Sequence, residues 1–353
     1  MSALLSGAVA EDAPRLSICI ATRNRCGYLE QTLASALAQC DARMEIVVVD
    51  GASDDDTPEV MARLCARDRR LRYFREDSNG GIDQDYDKAV GYARGEYCWL
   101  MSDDDWFLPG AMARVLEATD TAPSLVVVDA EVRDAAQAEV LLARRLELPA
   151  DTTFAPDELE ALFCATARQL SFIGSAIVRR TLWLERERTA YYGSFFIHVG
   201  VIFQQPLPAS ALVLTTPCLA IRYGNASWTG RAFEIWICRW PQLVWSLPAV
   251  SDAAKRGVTR ERPYESLREI VLLRAKGAYD WAGYMRWVAP GPSAATRKLL
   301  CAVVARVPGS VINLVSIAYV LAFSRARRFA LVDLLDSPNF PFKFLRRSPQ
   351  PRA

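Results

Sequence analysis

The chain has 353 residues, 51% of them apolar, so it is long enough to bury a sizeable core and general disorder is excluded. Lys and Arg number 42 against 41 Asp and Glu, which excludes a global field of the kind that holds a protein on nucleic acid. The charge is uneven, because residues 324–353 carry seven basic and two acidic side chains, +5, leaving −4 for the rest. A basic tail after an apolar stretch suits an anionic membrane surface. Nine cysteines, odd in number and without a CxxC pair, argue against a disulfide framework or a zinc site and for a reducing cytoplasm. The first fourteen residues hold Glu11 and Asp12, lack a basic start and have too short an apolar run for a secretory signal, so the chain is expected to stay inside the cell.

Taken in order, Leu16 to Ala21 is an apolar run that predicts a buried strand, and Gly27 to Gln39 sets Leu29, Leu33 and Leu37 on one helical face. Glu45 to Val49 predicts a second buried strand, after which Thr57 and Pro58 read as an N-cap and a first helical position. Leu71 to Arg75 predicts a third strand, Asp83 to Arg94 a helix closed by Gly95, and Tyr97 to Met101 a fourth strand. Such alternation implies an α/β fold with a largely parallel sheet. Beyond Ala118, Leu125 to Val128 and Phe172 to Val178 read as strands and Pro156 to Cys164 as a helix, and from Ala232 the pattern is helical.

In a parallel sheet, ligands bind beyond the carboxyl ends of the strands. Polar clusters follow three strands here: Thr22 to Arg25, Asp50 to Asp56 and Ser102 to Asp105. Three adjacent acids, Asp103, Asp104 and Asp105, repel one another unless positive charge lies among them, and a hard divalent cation shared with a substrate diphosphate would meet that need. The triplet also fits a solvated loop capping the next helix. Asp50 sits at a strand terminus, suited to a base or ribose, whereas Asp54 to Thr57 read as turn and cap residues. Asn79-Gly80-Gly81 supplies a turn where backbone can approach a ligand closely. Neither GxGxxG nor GxxxxGK(S/T) follows a strand, which disfavours a nicotinamide enzyme or a P-loop kinase.

Together the segments LSICIATRNR (16–25), EIVVVDGASDDDT (45–57), NGGIDQDYDKAVGYARGEY (79–97) and WLMSDDDWFLPG (99–110) resemble the family 2 glycosyltransferases of the GT-A fold. The resemblance is strong to about residue 118. It implies a Rossmann-like, largely parallel sheet flanked by helices, with a tail at 1–15, a GT-A domain at 16–231 and a helical C-terminal region at 232–353. Within the GT-A domain it separates a nucleotide-sugar half, 16–118, from an acceptor half, 119–231. It implies that Thr22, Arg23 and Asp50 hold base and ribose, lined by Asn24, Gly51, Gly81 and Lys88, and that Asp83 or Asp85 touches the donor. The acidic loop would hold Mn²⁺ or Mg²⁺. Ser102 stands where the family's Asp-x-Asp-Asp loop has its first acid, leaving Asp104 as the metal ligand, Asp103 as a ribose or metal contact, and Asp105 as a candidate for bracing that site, for the donor sugar or for catalysis.

The acceptor half departs further. The family's Glu-Asp pair, expected some ninety residues past the metal loop, is missing from the segment between Tyr191 and Phe203, which instead holds His198, the only histidine. Histidine suits general-base work near neutral pH, and His198 reads equally as base or metal ligand and as a hydrogen-bonded core residue. The segments 172–180 and 222–231 are similar to the bacterial O-antigen branch, including abequose-transferring enzymes; Arg222 and Arg231 are then candidates for diphosphate and Trp228 for stacking on a sugar, with structural roles as the alternative. Val307 to Phe323 is uncharged for seventeen residues but broken at Pro308, Gly309 and Asn313, which fits an interfacial helix or a packed one rather than a span.

The expected activity is inverting transfer of a sugar from a UDP, dTDP, GDP or CDP donor to a glycan or polyprenyl-linked hydroxyl in O-antigen-like synthesis. The enzyme would lie at the inner face of the cytoplasmic membrane, without nucleic acid. The rival is a non-catalytic nucleotide-binding scaffold of a glycan-assembly complex, motivated by Ser102 and the missing Glu-Asp pair.

Overall fold

The computed structural model describes residues 13–224, 229–323 and 327–342. Its N-terminal half is a repeated strand-helix pattern: β1 (Leu16–Thr22), α1 (Cys26–Leu37), β2 (Met44–Asp50), α2 (Thr57–Arg67), β3 (Leu71–Arg75), α3 (Ile82–Tyr92) and β4 (Tyr97–Met101). Every residue of β1, β2 and β4 is buried, as expected of parallel strands covered by helices on both faces. There follow β5 (Trp106–Phe107), α4 (Ala111–Thr119), β6 (Leu125–Arg133), β7 (Val140–Leu142), β8 (Thr152–Phe154), α5 (Leu159–Leu170), β9 (Ala176–Arg179), α6 (Arg180–Glu185), α7 (Ile197–Phe203) and β10 (Ala211–Arg222).

One mixed sheet results, ordered β3-β2-β1-β4-β9-β6-β10-β5, with β7 on β6 and β8 on β10. β1, β2, β3 and β4 pair in parallel, β6 pairs in parallel with β10, and β9 runs antiparallel between β4 and β6. The parallel half matches the expected alternation. β10 was not legible, because Pro217 interrupts its run, and its register against β6 shifts between Leu214 and Leu219. Helix α2 begins at Thr57, yet its first turn is capped from Asp55, whose Oδ1 accepts from Thr57 N at 3.1 Å, rather than by Thr57 itself.

The C-terminal region is helical: a π-turn (Phe233–Arg239) runs into α8 (Trp240–Ser246), followed by α9 (Asp252–Val258), α10 (Leu267–Ala275), α11 (Trp281–Gly283), α12 (Ala295–Arg306), α13 (Gly309–Phe323) and α14 (Arg327–Leu335). Its first part is no loose appendage. Ile235, Trp240, Leu243, Val244 and Leu247 join the same apolar core as the sheet's Val47, Leu100 and Val127. Beyond Ala254 the helices build smaller clusters of their own, around Ile270 and Cys301 and around Ala275, Val320 and Leu334.

The two halves of the sheet domain are clamped by α3. Asp87 accepts from Trp183 Nε1 at 2.8 Å and from the Tyr192 hydroxyl, and pairs with Arg188 at 2.8 Å. Asp83 accepts from the amides of Phe195 at 2.9 Å and Ile197 at 3.1 Å, meeting donors that the start of α7 would otherwise leave bare. Removing a carboxylate with three buried or half-buried donors strands all of them. We therefore expect Asp87→Ala to cost about 2–4 kcal/mol in denaturant unfolding, with Asp87→Asn retaining part of the loss; a cost below about 0.5 kcal/mol would show the clamp to be dispensable.

Candidate functional site

The carboxyl ends of β1, β2 and β4 lie side by side, so the three loops that follow them meet. Thr22 Oγ1 donates to Asp103 Oδ2 at 2.7 Å, joining the first loop to the acidic triplet. Asn24, held at φ 56°, accepts from Asp54 N at 2.7 Å, and its own amide donates to Ser53 Oγ at 2.8 Å, joining the first loop to the second. Asp50 is fully buried; Oδ1 accepts from the Ser53 amide and hydroxyl, and Oδ2 from the Tyr73 hydroxyl at 2.6 Å. Its place at the strand end is as expected, but its lone pairs hold the loop together.

The acidic triplet has an internal cation that the sequence reading left unassigned. Arg25 Nε lies 3.0 Å from Asp103 Oδ1, its Nη2 pairs with Asp104, and its guanidinium stacks over Tyr28 at 4.7 Å. Burial pushes Asp103 up to about 7; Arg25 opposes that rise and Asp104 adds to it. Among the three acids only Asp104 is not fully buried. Asp105 is turned inward: Oδ1 accepts from the Arg222 amide at 2.7 Å and Oδ2 from the Ser102 hydroxyl, and burial raises its pKa well above the ordinary carboxylate value. Asp105 is thus the tie between the acidic loop and β10, the bracing role among those expected for it, and its reading as a catalytic acid is corrected.

Arg222 is corrected in the same way. Its Nε donates to Asp104 O at 3.1 Å, Nη1 to Ala135 O at 2.9 Å and Nη2 to Gln31 Oε1 at 2.8 Å, with the guanidinium stacked over Tyr28 and Trp106. Every nitrogen has a partner within the fold, so it positions the acidic loop rather than waiting for a diphosphate. Arg231 is exposed, paired with Glu234 at 3.0 Å and stacked over Phe195 at 4.7 Å. Trp228 lies outside the described residues.

His198 takes the second of its two alternatives. It is fully buried on α7, its Nε2 lies 2.6 Å from Leu170 O, and burial pushes its pKa down to about 4. A ring sealed in the core reaches neither an acceptor hydroxyl nor a metal, and the core reading holds.

Asp85 stands apart from its neighbours on α3. It is 3% exposed, its Oδ1 is buried without a hydrogen-bond partner, and it faces Gly51, where an added Cβ would lie 2.7 Å from Oδ2. Burial raises it to about 6, with Lys88 opposing the rise and Glu76 and Asp50 adding to it. Lys88 is ion-paired to Glu76, Arg23 is exposed, and Gly81 turns at φ 93° just before α3.

As a cation site, the donor set is hard oxygen from Asp103 and Asp104, and both carboxylates already converge on one positive group. That chemistry fits Mg²⁺ or Mn²⁺, which take one or two carboxylates and complete the shell with water and phosphate. Among the described residues no three His, Cys, Asp or Glu side chains form a closed metal cage.

Two outcomes follow. A buried carboxyl with a raised pKa favours the fold when protonated and loses that benefit as pH climbs through about 6. Asp85→Asn should therefore raise the thermal midpoint at pH 8, by an amount that shrinks below pH 6 and vanishes near the unfolded value of about 4; a gain independent of pH would refute the buried, ionised state. His198→Leu should cost about 1–3 kcal/mol by stranding Leu170 O, yet leave turnover per folded molecule unchanged; a selective loss of kcat would restore a catalytic role.

Residues 17–170 match the family model described as glycosyl transferase family 2. Succinoglycan biosynthesis protein ExoO of Rhizobium meliloti is 30% identical over 40% of this chain and 42% of its own length. The GalNAc(5)-diNAcBac-PP-undecaprenol beta-1,3-glucosyltransferase of Campylobacter jejuni is 32% identical over 30% of this chain and 34% of its own. The chain thus spans less than half the length of these two relatives. Abequosyltransferase RfbV of Salmonella typhimurium is 25% identical over 71% of this chain and 79% of its own. In fold, the chain is similar to S. aureus TarS 1–349 in complex with UDP, with a TM-score of 0.51 at 14% identity over 91% of this chain and 90% of that one. The ordered strand-end loops, the acidic triplet and these likenesses agree: residues 17–170 match glycosyl transferase family 2, and the chain has a GT-A-like fold.

Proposed function

We propose that this enzyme is an inverting, metal-assisted sugar transferase of bacterial surface-polysaccharide synthesis, taking a nucleoside-diphosphate sugar and delivering it to a hydroxyl of a glycan or polyprenyl-diphosphate-linked acceptor. The observation that carries the reading is the pairing of Asp103 and Asp104 on Arg25 at the strand ends, together with the unpartnered Asp85 Oδ1 beside the loop after β2. Asp103 and Asp104 form a hard-oxygen pair for a diphosphate-bound cation; Asp85 is an open acceptor for an N–H or O–H of the donor's base or ribose. The acceptor class is supported by relatives named for succinoglycan synthesis, for glucosyl transfer to a PP-undecaprenol-linked glycan and for abequosyl transfer.

Asp104, the acid of the triplet nearest solvent, and Asp103 behind it would hold Mn²⁺ or Mg²⁺. Bound there, the cation supplies Lewis-acid neutralisation of the leaving diphosphate. Arg25 is the guanidinium available to that diphosphate once its carboxylates are otherwise engaged, and exposed Arg23 adds positive charge beside Asp85. Thr22 keeps Asp103 aimed, and the Asp105–Arg222 tie fixes the loop against β10. In one displacement the acceptor oxygen would attack the anomeric carbon opposite the leaving group, the bond from that carbon to the diphosphate oxygen would break, and the hydroxyl proton would pass to a base or to solvent, so that configuration inverts.

The test is a thermal-shift series with UDP, GDP, CDP and dTDP, with and without Mn²⁺, because a ligand bound only by the native state raises its apparent stability. One nucleotide should stabilise, more so with metal, and Asp104→Ala should abolish the metal's part, read against that variant's own unliganded midpoint because the pairing with Arg25 is lost as well. A metal effect that survives in Asp104→Ala would sink the ligand assignment. Nucleotide binding with no transfer or donor hydrolysis would return the scaffold reading, which Ser102 and the absent Glu-Asp pair favour.

A further inference from the structure

Helix α13 is apolar all round, and such a helix belongs in a core or in lipid. Only one of its faces finds protein. Gly309, Asn313 and Val320 are buried, with Asn313 Nδ2 donating to Ala275 O at 3.0 Å and Leu334 O at 2.9 Å, which stitches the helix to α10 and α14. The opposite face carries Val311, Leu314, Val315 and Tyr319, a helical i, i+3, i+4, i+8 stripe that points away from the protein. Val315 is 65% exposed, and Phe323 at the helix end 75%. Helix α12, bent 99° from α13, continues the surface with Leu299 and Val303. The stripe is far larger than the single exposed apolar residues usual on a soluble surface.

Charge and aromatic placement identify the partner. From Trp281 to Val332 the sequence contains no acidic residue but seven basic ones. At the near edge Trp281 stacks on Tyr284 at 4.9 Å, and Arg306 lies 3.5 Å over Trp281. Paired aromatic rings and arginines bordering an apolar helix face are the chemistry of a headgroup boundary. Among the described residues no single helix is long and apolar enough to cross a membrane, and the 99° bend between α12 and α13 suits elements lying along a surface.

We infer that the outer face of α12 and α13 docks on an anionic lipid bilayer, with α13 in the interface plane. The lipid-facing unit is wired to the acidic loop: Asp333 on α14 accepts from the Tyr223 hydroxyl at 2.7 Å and pairs with Lys276, and the neighbouring Arg222 amide holds Asp105. A bilayer under α13 would thus sit at a fixed position relative to the strand-end site, as an acceptor anchored in lipid requires.

The experiment is co-sedimentation of the full chain with phosphatidylcholine vesicles and with vesicles of equal phosphatidylcholine and phosphatidylglycerol, read as bound fraction and so independent of transferase activity. The anionic vesicles should bind at least about fivefold more tightly, with the advantage lost in high salt. The double variant Val315→Asp, Tyr319→Asp should weaken that binding at least about tenfold while keeping the thermal midpoint, since both side chains are exposed. Exposed Arg306→Glu should weaken it by more than about fivefold. A wild-type chain that ignores both vesicles, or a double variant that binds like wild type, overturns the inference. So does a lipid-free dimer that the double variant dissociates, because the face then belongs to a second copy.

Discussion

The arrangement at the strand ends depends on how three consecutive buried or half-buried carboxylates are kept from repelling one another. Two arginines do this from opposite sides. Arg25, in the turn after β1, takes the Asp103 and Asp104 carboxylates, and Arg222, at the end of β10, takes the Asp104 carbonyl with its side chain and the Asp105 carboxylate with its amide. Both guanidiniums lie against the ring of Tyr28, at 4.7 and 5.1 Å. The first strand and the last strand of the sheet are thereby fastened to the same four-residue loop. Because an unpaired buried charge is far costlier than a paired one, the two halves of the domain register themselves through that loop.

Helix α3 shows how one chemical group is given different work by its surroundings. Its acids at 83, 85 and 87 look interchangeable in sequence. Asp83 is consumed by backbone amides before α7, and Asp87 by Trp183, Tyr192 and Arg188, so the outer two hold the acceptor half in place. Asp85 keeps Oδ1 without a partner, while its Oδ2 lies 2.7 Å from where a Cβ on Gly51 would be. A buried carboxylate left unsatisfied is a standing cost to stability, and such costs gather where a ligand offsets them.

The parallel half of the fold and the strand-end clusters were legible because periodicity and punctuation agree there: buried apolar runs, each followed by a polar turn and a helix. What escaped was set by partners distant in sequence. Nothing local distinguishes a histidine on an apolar helix facing a pocket from one facing Leu170 O. Arg222 resembled a phosphate ligand until its three carbonyl and amide acceptors, over a hundred residues away for Asp104 and Gln31, were counted. β10 hid behind Pro217, tolerated where the ladder shifts register. Arg25 did leave a signal: an arginine in the first β-α turn of a sheet whose fourth strand ends in three acids is the nearest candidate to neutralise them.

The C-terminal helices extend this logic from charge to solvent. Residues 235–254 complete the sheet's own core, so the region begins as part of the domain and only later departs from it. Past that point the helices bury little of themselves, and α13 spends its one polar interior residue, Asn313, on carbonyls of α10 and α14 while presenting valine, leucine and tyrosine outward. A helix that secures its inner face with hydrogen bonds and leaves an apolar stripe outside gains free energy when something less polar than water covers that stripe. The run of seven basic residues without an acid around it would favour an anionic cover, and through the Asp333–Tyr223 contact such a cover would be held in register with Arg222, Asp105 and the site they brace.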